Sequence, residues 1–165
     1  MNETTPILKQ DTDTNKITPF LMFESRLGEA LDFYISIFKN SRILNSAPDG
    51  QGGVMSATFE LEGQRLLAFN GGPHFKFSEA ISLFVDCKSQ AEVDELWGKL
   101  IADGGEESQC GWLKDKFGVS WQIIPSALME LMSDPNPAKS QAVLQAMFKM
   151  RKIIVADLQA AHAAA

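Results

Sequence analysis

The segment ALDFYISIF (residues 30–38) can be laid over VDELWGKLI (residues 93–101), an offset of 63 residues. Both stretches space apolar side chains as an amphipathic helix does. The first carries Leu27, Ala30, Leu31, Tyr34, Ile35 and Phe38, and the second Val93, Leu96, Trp97, Leu100 and Ile101. Few residues are identical between them, so the repeat is one of pattern and element order. Ser25 offers an N-cap to the first helix, with Asn40 near its stop. Ser89 followed by Glu92 forms a capping box for the second, which Gly104 and Gly105 end.

Each helix has matching neighbours on both sides. Before the first stands ITPFLMF (17–23), a near-continuous apolar run that suits a strand covered on both faces, and before the second stands ISLFVDC (81–87). After the first come SRILNSA (41–47), the turn-rich PDGQGG (48–53) and VMSATFELEGQRLLAFN (54–70), two strands joined at Glu62-Gly63. After the second come EESQC (106–110), GWLKDKF (111–117) and VSWQIIP (119–125). Asp115-Lys116-Phe117-Gly118 fits a type I turn with Asp first and Gly fourth, pairing the last two strands. The expected fold class is α+β, with tandem βαβββ modules over 16–71 and 79–126 forming one domain within 16–133.

Residues 1–15 read as a polar, aperiodic tail, and residues 134–165 as a helical appendage. Leading into the appendage, SALMELM (126–132) is a short helix broken by SDPNP (133–137), and Asn136-Pro137 supplies a cap and a first-position proline for the next. Val143, Leu144, Met147 and Phe148 give that helix an apolar face, which either covers the sheet or meets a second subunit. The terminal DLQAAHAAA (157–165) reads as helical, with His162 in solvent.

Composition narrows the function classes. Hydrophobic residues make up 45% of the 165, with 11 Phe, 3 Trp and 1 Tyr, enough for a packed interior or an apolar cavity. A net charge of -6 with no basic cluster argues against nucleic acid as a partner. The absence of a long apolar run argues against a membrane span, and with no apolar signal core a cytoplasmic location is expected. Cys87 and Cys110 read as free buried thiols.

The strings ITPFLMF, DFYISIF (32–38), NGGPHFKF (70–77) and above all CGWLKDKFGVSWQIIP (110–125) resemble the PhnB-like branch of the glyoxalase/bleomycin-resistance, or vicinal oxygen chelate, superfamily. The likeness runs from Ile17 to the C-terminal helices, and its most specific piece is Gly111 to Gln122. It implies paired βαβββ modules whose sheets enclose a ligand cleft, and a homodimer. This branch often carries the label demethylubiquinone methyltransferase. A methyltransferase of the Rossmann type needs a Gly-rich turn after a parallel strand with crossover helices, whereas Gly52-Gly53 and Gly71-Gly72 read as lying between antiparallel strands.

Enzymes of the superfamily hold a divalent metal with His, Glu or Gln on the first, fourth, fifth and eighth strands. The polar groups on the matching stretches here are Thr18, then Arg65 and Asn70, then Ser82 and Asp86, then Gln122. Gln122 matches the place of a superfamily glutamate; the other places lack His or Glu, so no metal ligands are assigned and no cofactor is expected.

The cleft residues expected are Phe20, Phe69, Asn70, Trp112, Asp115, Trp121 and Gln122. Period-two alternation in SWQIIP puts Ser120, Gln122 and Ile124 on one face and Trp121 and Ile123 on the other. The Gln122 amide either orients a ligand or satisfies buried backbone. His74, in a Gly-Pro loop, is either a proton shuttle or a solvated side chain, and His74 and Gln122 are the best candidates for chemistry. Asp115 is either a turn-former or a carboxylate at the cleft rim. The aromatic residues favour a small apolar or aromatic ligand, unless they simply fill the core. The function expected is a homodimeric small-molecule-binding protein without a firmly held metal. The alternatives are a metal-assisted lyase, isomerase or dioxygenase of the same fold, and a protein that binds a partner through its C-terminal helix.

Overall fold

A computed structural model of the chain describes residues 16–165; the tail expected at 1–15 lies outside them. The chain divides into two compact units, one reaching to Lys76 and the other running from Phe77 to Ala165.

The first unit contains β1 (Phe20–Phe23), α1 (Leu27–Ile37), β2 (Ser41–Pro48), β3 (Val54–Leu61) and β4 (Gln64–Asn70). Its sheet has the order β1-β4-β3-β2, with β1 parallel to β4 and the other pairs antiparallel. Glu62 and Gly63 join β3 to β4 with φ of 47° and 83°, the left-handed pair that a two-residue hairpin requires. Leu27, Ala30, Leu31, Tyr34 and Ile37 of α1 are buried, and Tyr34 stacks on Phe59 of β3 at 6.4 Å between ring centres. Alternation then puts Leu21, Phe23, Ala57, Phe59, Leu66 and Ala68 on the helix-covered face. Two expectations change here. The strand at 17–23 is a four-residue edge strand with Phe20 exposed, so only one of its faces is covered. Ser25 does not cap α1: the Leu27 N–H donates instead to Oδ1 of Asn70, 3.1 Å away, because parallel pairing brings the end of β4 beside the start of the helix.

The second unit repeats the plan with β5 (Leu83–Cys87), α2 (Gln90–Leu100), β6 (Glu106–Glu107), β7 (Trp112–Lys114) and β8 (Ser120–Pro125), in the sheet order β5-β8-β7-β6. Both α1 and α2 are 11 residues long. Ser89 caps α2 as read, accepting from the Glu92 N–H at 3.2 Å, while Glu92 reaches back to the Lys88 N–H rather than to that of Ser89. Gly71 and Gly72 do not lie between antiparallel strands; their N–H groups donate to Phe23 and Glu24, extending the parallel pairing as the chain leaves β4.

Three helices follow: α3 (Ser126–Met132), α4 (Pro137–Met147) and α5 (Val155–Ala163). Asn136 caps α4 through the Ala138 N–H, with Pro137 opening the helix. Part of the apolar face of α4 packs within the unit, with Val143, Ile153 and Leu158 fully buried beside Leu128 and Ile124 of β8 and Met147 partly buried against them, while Phe148 is exposed. The connecting segment is also tied by backbone, as Cys110 and Gly111 donate to the carbonyls of Met150 and Arg151 at 2.8 and 2.7 Å. Gly111 has φ of 85°, and a Cβ there would meet Ile124, Ile123 and Ile153, so glycine is needed for both conformation and space. His162 is not in free solvent; its Nε2 lies 2.8 Å from Oδ2 of Asp134 and links the end of α5 to the turn before α4. Among the described residues no helix is long and apolar enough to cross a membrane.

Candidate functional site

Each sheet has one face under its own helix and one face turned away from it. On the first sheet the open face carries Phe20 and Met22 of β1 beside Leu67 and Phe69 of β4, with Ser56 and Thr58 of β3 continuing the rows. It is an apolar surface. Asn70, expected in a cleft, belongs to the opposite face, where its two ends are used: Oδ1 caps α1 and Nδ2 donates to the Val54 carbonyl at 2.8 Å.

The open face of the second sheet is more polar. Register places Phe84, Gln122 and Trp112 in one row across β5, β8 and β7. The next row holds Ser120, Lys114 and Glu106 across β8, β7 and β6. Gln122 donates from Nε2 to the Ser82 hydroxyl at 2.8 Å, which fixes the amide and leaves its Oε1 to accept a bond. One end of this face is closed by the C-terminal helices over Ile124. A small cavity of about 130 Å³ opens beside Trp112 and is lined by Glu79, Glu106, Ser108, Lys114 and Ser120 among others.

Two other expected cleft residues are elsewhere. Trp121 follows the opposite phase of β8 and is buried under α2, only 2% exposed. Asp115 is 3% exposed and serves as the turn-former rather than a rim carboxylate. Its Oδ1 accepts from the N–H groups of Phe117 and Val119 at 2.9 and 3.0 Å, its Oδ2 accepts from the Trp121 indole at 2.9 Å, and Gly118 closes the turn onto its carbonyl. Three donors converge on this buried carboxylate, so its charge is answered inside the turn rather than offered at a rim. His74 is exposed in the loop after β4, and among the described residues no acid or nucleophile is hydrogen-bonded to it.

The polar side chains on the strands named for a metal do not converge as a ligand set among the described residues. Among the described residues no three His, Cys, Asp or Glu side chains converge on a possible ion. Thr18 precedes β1, and Gln122 uses its Nε2 on Ser82, which leaves only its Oε1 as a donor atom. Asp86 is held below the usual carboxylate range by Lys88 and by the Ser126 hydroxyl, which already occupies it. The thiols offer no substitute: burial pushes Cys87 up to about 12, so it is a neutral core group at physiological pH. The residue that reading by pattern missed is Ser120, whose hydroxyl is buried on the open face without a hydrogen-bond partner. Its place on the Gln122 face was readable from alternation; its lack of a partner was not.

Residues 15–124 match the profile of the family described as 3-demethylubiquinone-9 3-methyltransferase. The solved structure of a PhnB protein from Bacillus cereus, whose description carries the same methyltransferase label, is 37% identical with a TM-score of 0.63, covering 68% of this chain and 100% of its own. Protein PA1353 from Pseudomonas aeruginosa shares the fold at 21% identity and a TM-score of 0.53, over 66% of this chain and 95% of its own. No curated protein matches. With the match spanning most of the chain and the same βαβββ plan in both units, the chain belongs to the PhnB-like, 3-demethylubiquinone-9 3-methyltransferase-like family.

Proposed function

We propose that this protein binds a small organic molecule with a flat apolar part on the open face of its second sheet, and that it does so as a homodimer. The observation that carries the reading is the row Phe84, Gln122, Trp112: an anchored amide between two accessible aromatic side chains, one on each neighbouring strand. Aromatic faces supply contact area at low entropic cost, and a fixed amide oxygen supplies orientation, the usual composition of a small-molecule site. Phe84 is 54% exposed, a large apolar surface to leave in water unless something covers it. Methyl transfer, which the family label suggests, gains no support from the fold: the one parallel pair in each sheet leaves no doubly wound sheet to hold S-adenosylmethionine.

A ligand-observed NMR screen of flat aromatic fragments against the full chain tests the reading. Hits that vanish in Trp112→Ala and weaken in Gln122→Ala support it; hits unaffected by both variants, or none at all, reject it. Elemental analysis after incubation with manganese, iron, nickel and zinc and dialysis is expected to return far less than one metal per chain. Sedimentation velocity decides the homodimer.

A further inference from the structure

The open face of the second sheet is not open along its whole length. Ser120 lies on that face, one row from Gln122, yet it is only 2% exposed, and its hydroxyl is out of reach of solvent with no hydrogen-bond partner. The chain just before β5 accounts for the cover. The parallel register sets Leu83 against Trp121, so one residue back Ser82 falls beside Ser120, and the Ser82 hydroxyl accepts from the Gln122 amide. Three residues earlier, Glu79 is bridged to Lys114, which flanks Ser120 from the β7 side. In a sheet ordered β5-β8-β7, the segment from Glu79 to Ser82 therefore crosses β8 at Ser120. Neighbouring strands stand about 4.8 Å apart, so the span of two strand spacings is about what three extended residues reach. Upstream, Phe77 places its ring beside Gly118, in the turn between β7 and β8.

This crossing is held lightly. Ser78, Glu79, Ala80 and Ile81 are all exposed, and the Ile81 N–H reaches the Ser78 carbonyl at 3.4 Å, the long end of a hydrogen bond. The Glu79–Lys114 pair joins two side chains that water reaches, so it contributes little and is screened by salt. Against it stands the Ser120 hydroxyl, which goes unpaired while the segment is down and would be hydrated once it lifts. Few buried apolar contacts and an exposed turn mark a segment that opens without unfolding the sheet beneath it.

We propose that residues 78–81 form a strap that bows away from the sheet between hinges at Phe77 and Ser82, with the Glu79–Lys114 ion pair as its latch, and that a ligand enters the inner end of the open face while the strap is lifted. The Ser82 hinge keeps the Gln122 amide anchored throughout. This rests on the small-molecule reading of the same face and adds how that face is gated.

Thiol labelling reads the strap without any ligand. In the full chain carrying Ser120→Cys, reaction with N-ethylmaleimide is followed site by site by peptide mass spectrometry, with the buried Cys87 as the internal gauge of wider opening. Position 120 is expected to react about tenfold or more faster than Cys87. Adding Glu79→Gln or Lys114→Gln is expected to accelerate position 120 about threefold and leave Cys87 unchanged, and about 1 M sodium chloride should do the same only where the latch is intact. Position 120 reacting no faster than Cys87, or at a rate indifferent to both latch variants, overturns the strap. Amide exchange over residues 77–83 in the chain with native Ser120 makes the same comparison if the cysteine variant folds poorly. Fragments found in the NMR screen are expected to bind about threefold tighter once Glu79→Gln favours the lifted form. Unchanged affinity in a chain whose labelling has risen overturns the gate. A screen without hits rejects the small-molecule reading and the gate with it, while the labelling still decides whether the strap lifts.

Discussion

The two units share strand order, strand direction and helix length, yet they hold themselves together differently. The first ties its helix to its sheet with one long-range side chain, Asn70, and covers its sheet with one helix. The second caps its helix locally with Ser89, stitches its last hairpin with a buried carboxylate, and adds three helices over part of the other face. The open faces differ too: four apolar side chains beside the Ser56 and Thr58 hydroxyls on one sheet, and two aromatic side chains with a hydroxyl, an amide and an ion pair on the other. A common topology thus constrains the backbone but leaves each copy free to choose its fastenings and its exposed chemistry.

Removing residues 134–165 should have the largest effect. It strips Val143, Ile153 and Leu158 from Ile124 and Leu128, and a truncation after Ser133 is expected to abolish cooperative unfolding of the second unit while amide-exchange protection in the first persists. Asp115→Ala comes next, orphaning two backbone N–H groups and an indole in a buried site; about 3 kcal/mol of stability should be lost in denaturant unfolding, again confined to the second unit. The cap comparison is finer. Asn70→Ala removes an acceptor from Leu27 and a donor from Val54 and should cost roughly 1.5 kcal/mol, against about 1 for Ser89→Ala. Equal costs would mean that the long-range clasp adds nothing to a simple cap.

The smallest effect is one of pH. Asp134 is held below its ordinary value of 3.8, first by the Asn136 N–H and then by His162. A depressed carboxylate contributes stability that is complete above its unfolded value and is lost as pH falls through the lower folded value. The stability gap between wild type and Asp134→Asn should therefore be constant near neutrality and shrink only below about pH 4, as read from urea midpoints across that range. A gap that persists undiminished at pH 2 would show that the carboxylate charge is irrelevant to the clasp.

Features set by neighbours in sequence were legible. The Glu62-Gly63 hairpin, the Ser89 cap, the Asp115 turn and the Asn136-Pro137 start all depend on residues within four positions of one another, so composition alone could place them. Features set by strand pairing were not. Alternation separated Gln122 from Trp121, but only the position of α2 decides which of them is buried, and both had been expected to line a cleft. Asn70 could pass for a polar cleft residue because nothing local says that the start of α1 lies beside it. The unpartnered hydroxyl of Ser120 is visible only once every surrounding donor and acceptor has been placed.

Gln90, in the first turn of α2, donates from its amide to the Ile153 carbonyl at 3.1 Å and accepts from the Val155 N–H at 2.8 Å. Its partners are made more than sixty residues after it, so a ribosome-bound chain emerges with this clasp open. In the first unit the parallel pairing of β1 with β4 and the Asn70 clasp are made by residues up to Gly72, so these partners are available early. The second must wait until Ile153 to Leu158 have emerged, with the Ile124 side of its sheet uncovered in the meantime. Pulse proteolysis of arrested nascent chains should find a protected first unit long before a protected second one, making α4 and α5 the clock for vectorial folding of the second unit.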